Sequence, residues 1–220
     1  MKEAWYRAKS QLFARIKQDI EREYPDLRVI IEGETVLAKG SFPVKDGDDV
    51  LDRFLIQLEF PRDFPDSVPI LREIGGRIPW HQDRHTNGNG EACPIVPEEW
   101  LIRPDRDSIL EFLAGPARNF FLGQLAVEQR RSWPFGERPH GIAGLLESYA
   151  ELIGTSDFAA VRRYLDYLSR DTLKGHWDCP CGSNKRLRDC HLEAVKTLRQ
   201  KIAPWVARSA FARLRKESSK

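Results

Sequence analysis

The run Phe60-Pro61-Arg62-Asp63-Phe64-Pro65-Asp66-Ser67-Val68-Pro69-Ile70 closes one strand-like segment and leads into the next. Its prolines exclude helix, because each fixes its own φ and brings no amide donor. Upstream, Val50–Phe60 alternates through Phe54, Ile56, Leu58 and Phe60, the period of a half-buried strand. Leu27–Gly33 and Thr35–Val44 precede it, with Gly33-Glu34 marking the turn between them. Gaps this short favour hairpins, so a four-stranded antiparallel meander is expected, with Val68–Ile74 as its fourth strand. Ahead of the sheet, Ala4, Trp5, Ala8, Leu12, Ile16 and Ile20 recur near a helical period, and Tyr24-Pro25 ends the segment. That pattern predicts an amphipathic helix over residues 3–24, and the fold class is α+β.

Beyond the sheet, periodicity disappears from Gly75 to Asp107. This stretch carries four prolines, four glycines, His81, His85, Asn87, Cys93 and Trp100. A loop this long in a compact domain is either functional or disordered. Trp80, Ile95, Val96 and Trp100 give it apolar anchors of its own, which favours an ordered, functional loop. A helix is predicted over Asp107–Gln124, capped by Asp107 or Ser108 and broken at Gly115-Pro116. After a second loop, Trp133–Gly141, helices are predicted over Ile142–Ile153 and Asp157–Leu168, with Gly154 as a stop and Thr155 or Ser156 as a cap. Residues 192–216 form a basic amphipathic tail. The expected division is a main domain over residues 1–170 and a small appendage over 171–220.

The chain has 35 basic and 33 acidic side chains and a formal charge of +2, so its overall field gives no reason to expect nucleic acid or a membrane as partner. No apolar run approaches the roughly 20 residues that span a bilayer. The start, Met1–Phe13, has no signal-peptide core, so a cytoplasmic location is expected. The cysteines are split: Cys93 stands alone, while Cys179, Cys181 and Cys190 crowd together. In a reducing compartment that split suggests one reactive thiol and one metal site.

The thiol closes the string Arg84-His85-Thr86-Asn87-Gly88-Asn89-Gly90-Glu91-Ala92-Cys93-Pro94. Glu91, Glu98 and Glu99 lie near it in sequence and would raise its pKa rather than lower it. A cysteine peptidase normally keeps a histidine base beside its sulfur. The order helix, strand meander, Phe-Pro-x-x-Phe-Pro-x-x-x-Pro, His-x-Asn, Asn-Gly-x-x-Cys, downstream Trp100, helix resembles the ubiquitin-conjugating enzyme family over about residues 1–168. Thr86 stands where that family usually has proline, and Asn87 precedes Cys93 by only six residues. The resemblance implies that Cys93 accepts a ubiquitin-like modifier protein as a thioester from an activating enzyme and passes it to an amine on a protein acceptor. It also implies Asn87 as the donor to the oxyanion, or as the shaper of the loop that supplies it, and His85 as a structural support. His140 or Glu137 in the second loop is a candidate proton acceptor for the incoming amine. Bacterial relatives of this fold are typically encoded beside an activating enzyme, a ubiquitin-like protein and a deconjugating protease, often in phage-defence operons, a context the resemblance also implies.

Near the C-terminus stands His176-Trp177-Asp178-Cys179-Pro180-Cys181-Gly182-Ser183-Asn184-Lys185, followed by Cys190-His191. Two thiolates one residue apart, then a Cys-His pair, can close tetrahedrally on Zn²⁺. The string resembles the SEC-C zinc motif, which implies Cys179, Cys181, Cys190 and His191 as ligands, with His176 as a substitute. Four protein ligands leave no open position, so the zinc would be structural. Two other functions stay open on the sequence. One is a catalytically silent adaptor with the same fold. The other is a cysteine hydrolase that pairs Cys93 with His85 or His140.

Overall fold

The computed structural model describes residues 3–135 and 141–217. These form two compact units. The first comprises residues 1–97 and 104–137, the second residues 98–103 and 138–220.

The first unit is built on a four-stranded antiparallel meander, in the order β1 (Leu27–Glu32), β2 (Thr35–Asp46), β3 (Asp49–Phe60) and β4 (Ile70–Glu73). The α+β class and the meander are as expected. Along β3 the alternation predicted from sequence is realised: Phe54, Ile56, Leu58 and Phe60 are buried, while Arg53 and Leu55 are exposed. Gly40 in β2 has φ +144°, and a Cβ there would meet the Asp26 carbonyl oxygen at 2.0 Å, so only glycine fits beside the start of β1.

The expected N-terminal helix is present in two pieces, α1 (Trp5–Ala8) and α2 (Ser10–Glu23), because Lys9 leaves helical geometry at φ −126°, ψ 56°. This break lets Trp5 turn into the core against Phe60 and Phe64, with ring centroids 5.7 and 5.0 Å away. The Trp5 amide also donates to the Arg62 carbonyl at 3.2 Å. The proline-rich string is thus pinned through its two phenylalanines, which are 1% exposed. On the same face of the sheet, Ile16 and Ile20 of α2 are fully buried, and Phe121 stacks on Phe54 at 4.6 Å.

The helix predicted over Asp107–Gln124 begins with α4 (Ile109–Phe112), capped by Ser108, whose hydroxyl accepts the Glu111 amide. Gly115-Pro116 does not break it. A wider turn, Leu113–Ala117, absorbs the missing Pro116 donor, and α5 (Arg118–Glu128) continues the run. The aperiodic loop holds two short pieces, a helical turn at Gln82–Arg84 and α3 (Pro97–Leu101).

The second unit packs α6 (Gly141–Ile153), α7 (Phe158–Ser169), α8 (Leu192–Lys201) and α9 (Pro204–Glu217) around Leu145, Val161, Leu165, Val195, Val206 and Ala210. Gly154 ends α6 with φ +77°. The cap of α7 is Asp157, not Thr155 or Ser156: its carboxylate accepts the Ala159 amide at 2.8 Å. The C-terminal tail is two helices, divided at Ile202-Ala203 just before Pro204. Residues Glu98–Arg103 belong to this unit. Glu98, 5% exposed, receives the Arg213 guanidinium of α9 at 2.5 Å. Glu99 accepts the Ser148 hydroxyl of α6 at 2.8 Å.

No helix among the described residues is long and apolar enough to cross a membrane.

Candidate functional site

The Cys93 loop is an extension of the sheet. The Ala92 amide donates to the Leu71 carbonyl of β4 at 2.8 Å, and single bridges link Arg72 to Glu91 and Thr86 to Ala92. Between them Asn87–Gly90 makes a tight turn. The Gly90 amide donates to Asn87 O at 2.9 Å, and the Asn87 amide donates to Glu91 O at 2.8 Å. Gly90 has φ +80°, and a Cβ on it would lie 2.6 Å from the indole of Trp80. Both facts require glycine at this position. Trp80, expected as an anchor, covers the turn with 61% of its own surface exposed.

Thr86 is held by three neighbouring backbone groups. Its amide donates to the His81 carbonyl at 3.3 Å, and its hydroxyl accepts the His81 amide at 2.8 Å. That hydroxyl also lies 2.9 Å from the Pro79 carbonyl. Proline would forfeit every one of these bonds. Buried to 5% exposure, Thr86 locks the descending arm of the loop.

Cys93 is half-buried. Its amide donates to the His85 carbonyl at 2.8 Å, and its sulfur faces Asn87 Oδ1 at 3.7 Å. Asn87 and Cys93, predicted to work together, are brought into contact. A half-turn of the Asn87 amide about χ2 presents its NH₂ donor to the same place. Burial pushes the Cys93 thiol up, and the Glu91 charge adds to that. Glu98 and Glu99, also expected to act on the thiol, are instead engaged with Arg213 and Ser148.

His85 sits in the left-handed region at φ 49° and stacks on Trp133, with ring centroids 4.0 Å apart. Trp133 in turn packs on α5 at Gly123, where a Cβ would come within 2.3 Å of the ring. The second loop therefore reaches the first through an aromatic plug under His85. His140 and Glu137 lie outside the described residues. Arg84 is fixed beside this plug: its Nε donates to Gln124 Oε1 at 2.7 Å, and Gln124 Nε2 returns a bond to the Arg84 carbonyl at 2.7 Å.

Arg72 is the residue that sequence reading missed. It bridges Glu59 at 2.9 Å and Glu91 at 2.7 Å, tying β3, β4 and the Cys93 loop together. Alternation along β4 places it on the same sheet face as Glu59, and that was the available signal.

In the second unit, Cys179, Cys181, Cys190 and His191 bring their ligand atoms within 4.8 Å of one another. Cys181 Sγ lies 3.8 Å from Cys190 Sγ, and His191 Nδ1 lies 3.2 and 3.1 Å from Cys179 and Cys190 Sγ. Zn–S bonds of about 2.3 Å in a tetrahedron set S···S edges of about 3.8 Å, so this donor set fits a closed metal site. The Cys181 thiol is held down by a hydrogen bond from Ser183, whereas burial raises Cys179. His176 is not part of the group. Helix α7 carries the knuckle: Arg163 Nε donates to the Pro180 carbonyl at 2.8 Å, and the Tyr167 hydroxyl to the Asp178 carbonyl at 2.7 Å. Gly182 turns the chain at φ +85°.

The basic tail is largely spoken for within the unit. Arg199 and Arg208 bond to Asp171, Lys196 pairs with Glu193, and Arg213 with Glu98. Comparison of the chain with family models, with curated proteins and with solved structures returned no match.

Proposed function

We propose that the chain is a ubiquitin-conjugating-type acyl carrier. It takes a ubiquitin-like modifier from an activating enzyme as a thioester on Cys93 and transfers it to an amine of a protein acceptor. Residues 1–170 are then a variant of the ubiquitin-conjugating fold, working in the cytoplasm of a bacterium and, by the same resemblance, in antiphage defence. Residues 171–220 are a SEC-C-type knuckle with a basic helical tail, holding a structural zinc ion through Cys179, Cys181, Cys190 and His191.

The observation that carries this reading is the contact of the Cys93 sulfur with the Asn87 amide, 3.7 Å apart, in a loop hung on the sheet edge. Thioester exchange is near thermoneutral, so the sulfur needs access and a donor for the tetrahedral oxyanion rather than a low pKa. A thiol raised by burial and by Glu91 suits a carrier that must not hydrolyse its cargo. His85 turns its ring to Trp133 at 4.0 Å, which favours a supporting role over that of a hydrolase base. The Trp133 contact orders the backbone carbonyl that receives the Cys93 amide.

The test is incubation with activating enzyme, modifier and ATP. A reducer-sensitive adduct that disappears in Cys93→Ala supports the carrier. Cys93→Lys should give an adduct that resists reducing agent. No adduct of either kind supports a silent adaptor instead. Turnover of a preformed thioester without an amine acceptor supports a hydrolase.

A further inference from the structure

Amide formation on Cys93 needs an acceptor for the proton that the attacking amine sheds, and Asn87 cannot be that acceptor. The loop supplies a carboxylate two residues before the sulfur. Residues 91–93 run extended along β4, held by the Arg72–Glu91 bridge and by the Ala92 amide on Leu71 O at 2.8 Å. In an extended segment, positions two apart share a face, so the Glu91 and Cys93 side chains project to one side and Ala92 to the other. Glu91 is also joined to Asn87 through backbone, its carbonyl receiving the Asn87 amide at 2.8 Å.

Among the described residues, Arg72 is the side chain that aims the carboxylate. Arg72 takes Glu91 Oε1 at 2.7 Å while holding Glu59 at 2.9 Å with its other nitrogen. No described hydrogen bond occupies Oε2, and the Glu91 side chain keeps 28% of its surface exposed. An immobilised carboxylate with one oxygen open among the described residues, beside the half-buried Cys93 sulfur, is placed to receive a cation.

We propose that Glu91 is a catalytic residue for aminolysis: its carboxylate draws the acceptor's lysine ammonium to the Cys93 thioester and takes the proton that the nitrogen must lose before it can attack. This rests on the acyl-carrier reading above. The ammonium gives one proton to Glu91 Oε2, and the freed amine attacks the thioester carbonyl carbon. The new C–N bond makes the remaining N–H acidic. The C–S bond breaks with its electron pair leaving on sulfur, that second proton passes to the thiolate, and Glu91 gives its proton to water. The products are an amide, the free Cys93 thiol and one proton released to solvent, with no further reactant. Charge on Glu91 is already felt at the sulfur, where it adds to the effect of burial on the thiol.

The experiment separates loading from discharge, using full-length protein. Wild type and Glu91→Gln, which keeps an oxygen for Arg72, are charged with modifier, then chased with free lysine or with hydroxylamine. Hydroxylamine is uncharged at neutral pH, so it needs no carboxylate to attract it or to take a proton before it attacks. Expected results are charging within about twofold of wild type, lysine discharge slowed by about 10²-fold, and hydroxylamine discharge within about threefold. Equal slowing with both nucleophiles would overturn the proposal, since it marks loop damage. Unchanged lysine discharge would overturn it as well. Failure of the wild type to charge is a different result, one that removes the acyl-carrier reading itself.

Discussion

Arg213→Ala should destabilise the second unit far more than a surface arginine would. Glu98 is 6% exposed at its side chain and Arg213 is 40% exposed. Removing the guanidinium strands a carboxylate whose second oxygen, Oε2, is buried with no hydrogen-bond partner among the described residues, and the Tyr149 hydroxyl, which feels the Glu98 charge, is in the same condition. Breaking a buried pair from one side costs about 3–5 kcal/mol. Water already reaches Arg213, so the expected loss falls below that range, about 2–3 kcal/mol. In a unit of this size each kcal/mol moves Tm by about 4–8 °C, which gives a fall of roughly 10–20 °C. Arg213→Ala with Glu98→Gln should recover at least half of it, because no buried charge is then left alone. The assays are calorimetry and urea unfolding of the metal-loaded full chain. A loss below about 0.5 kcal/mol for Arg213→Ala, the scale of an exposed pair, would refute the reasoning.

Four further outcomes are expected. Thr86→Pro should cost about 2–3 kcal/mol by urea unfolding through loss of the His81 amide and carbonyl bonds, and an unchanged midpoint contradicts their role. Gly123→Ala, normally stabilising in a helix by about 1 kcal/mol, should here destabilise by about 1–3 kcal/mol, because its Cβ would lie 2.3 Å from Trp133; a raised Tm counts against the aromatic plug. Alkylation of Cys93, followed by mass spectrometry of its peptide, should accelerate only at pH values above those of a free cysteine peptide. The raised thiol keeps its proton as pH climbs, and Glu91→Gln should shift the profile modestly downward; a profile below that of the peptide contradicts the burial. Freshly purified, unchelated protein should contain about one zinc per chain by elemental analysis, and chelation should lower the second unit's melting transition. Absence of metal in such protein removes the structural-zinc assignment.

The sheet was legible because its signals are local. A period of two along Val50–Phe60 and a turn at Gly33-Glu34 both survive without tertiary context. The Cys179, Cys181, Cys190 and His191 cluster was legible for the same reason, since its four side chains lie within thirteen residues of sequence. Less readable was whatever depends on contacts between distant segments. Lys9 interrupts the first helix because Trp5 packs on Phe60 and Phe64, a preference that outweighs helical continuity. Pro116 is tolerated because a wider turn accommodates it. At the site, Cys93, Asn87 and His85 could be named from their string, but Arg72 and Trp133 could not, since each acts across a sheet edge or a second loop. Glu98 and Glu99 looked like neighbours of the sulfur by position alone, yet pairing with Arg213 and Ser148 draws them into the other unit.

The most direct measurement is the intact mass of the protein after reaction with activating enzyme, modifier and ATP. A gain equal to one modifier less one water, located to Cys93 and removed by thiol, is the predicted result. A modifier bound elsewhere, or a mass that stays unchanged while the activating enzyme itself becomes loaded, would contradict it.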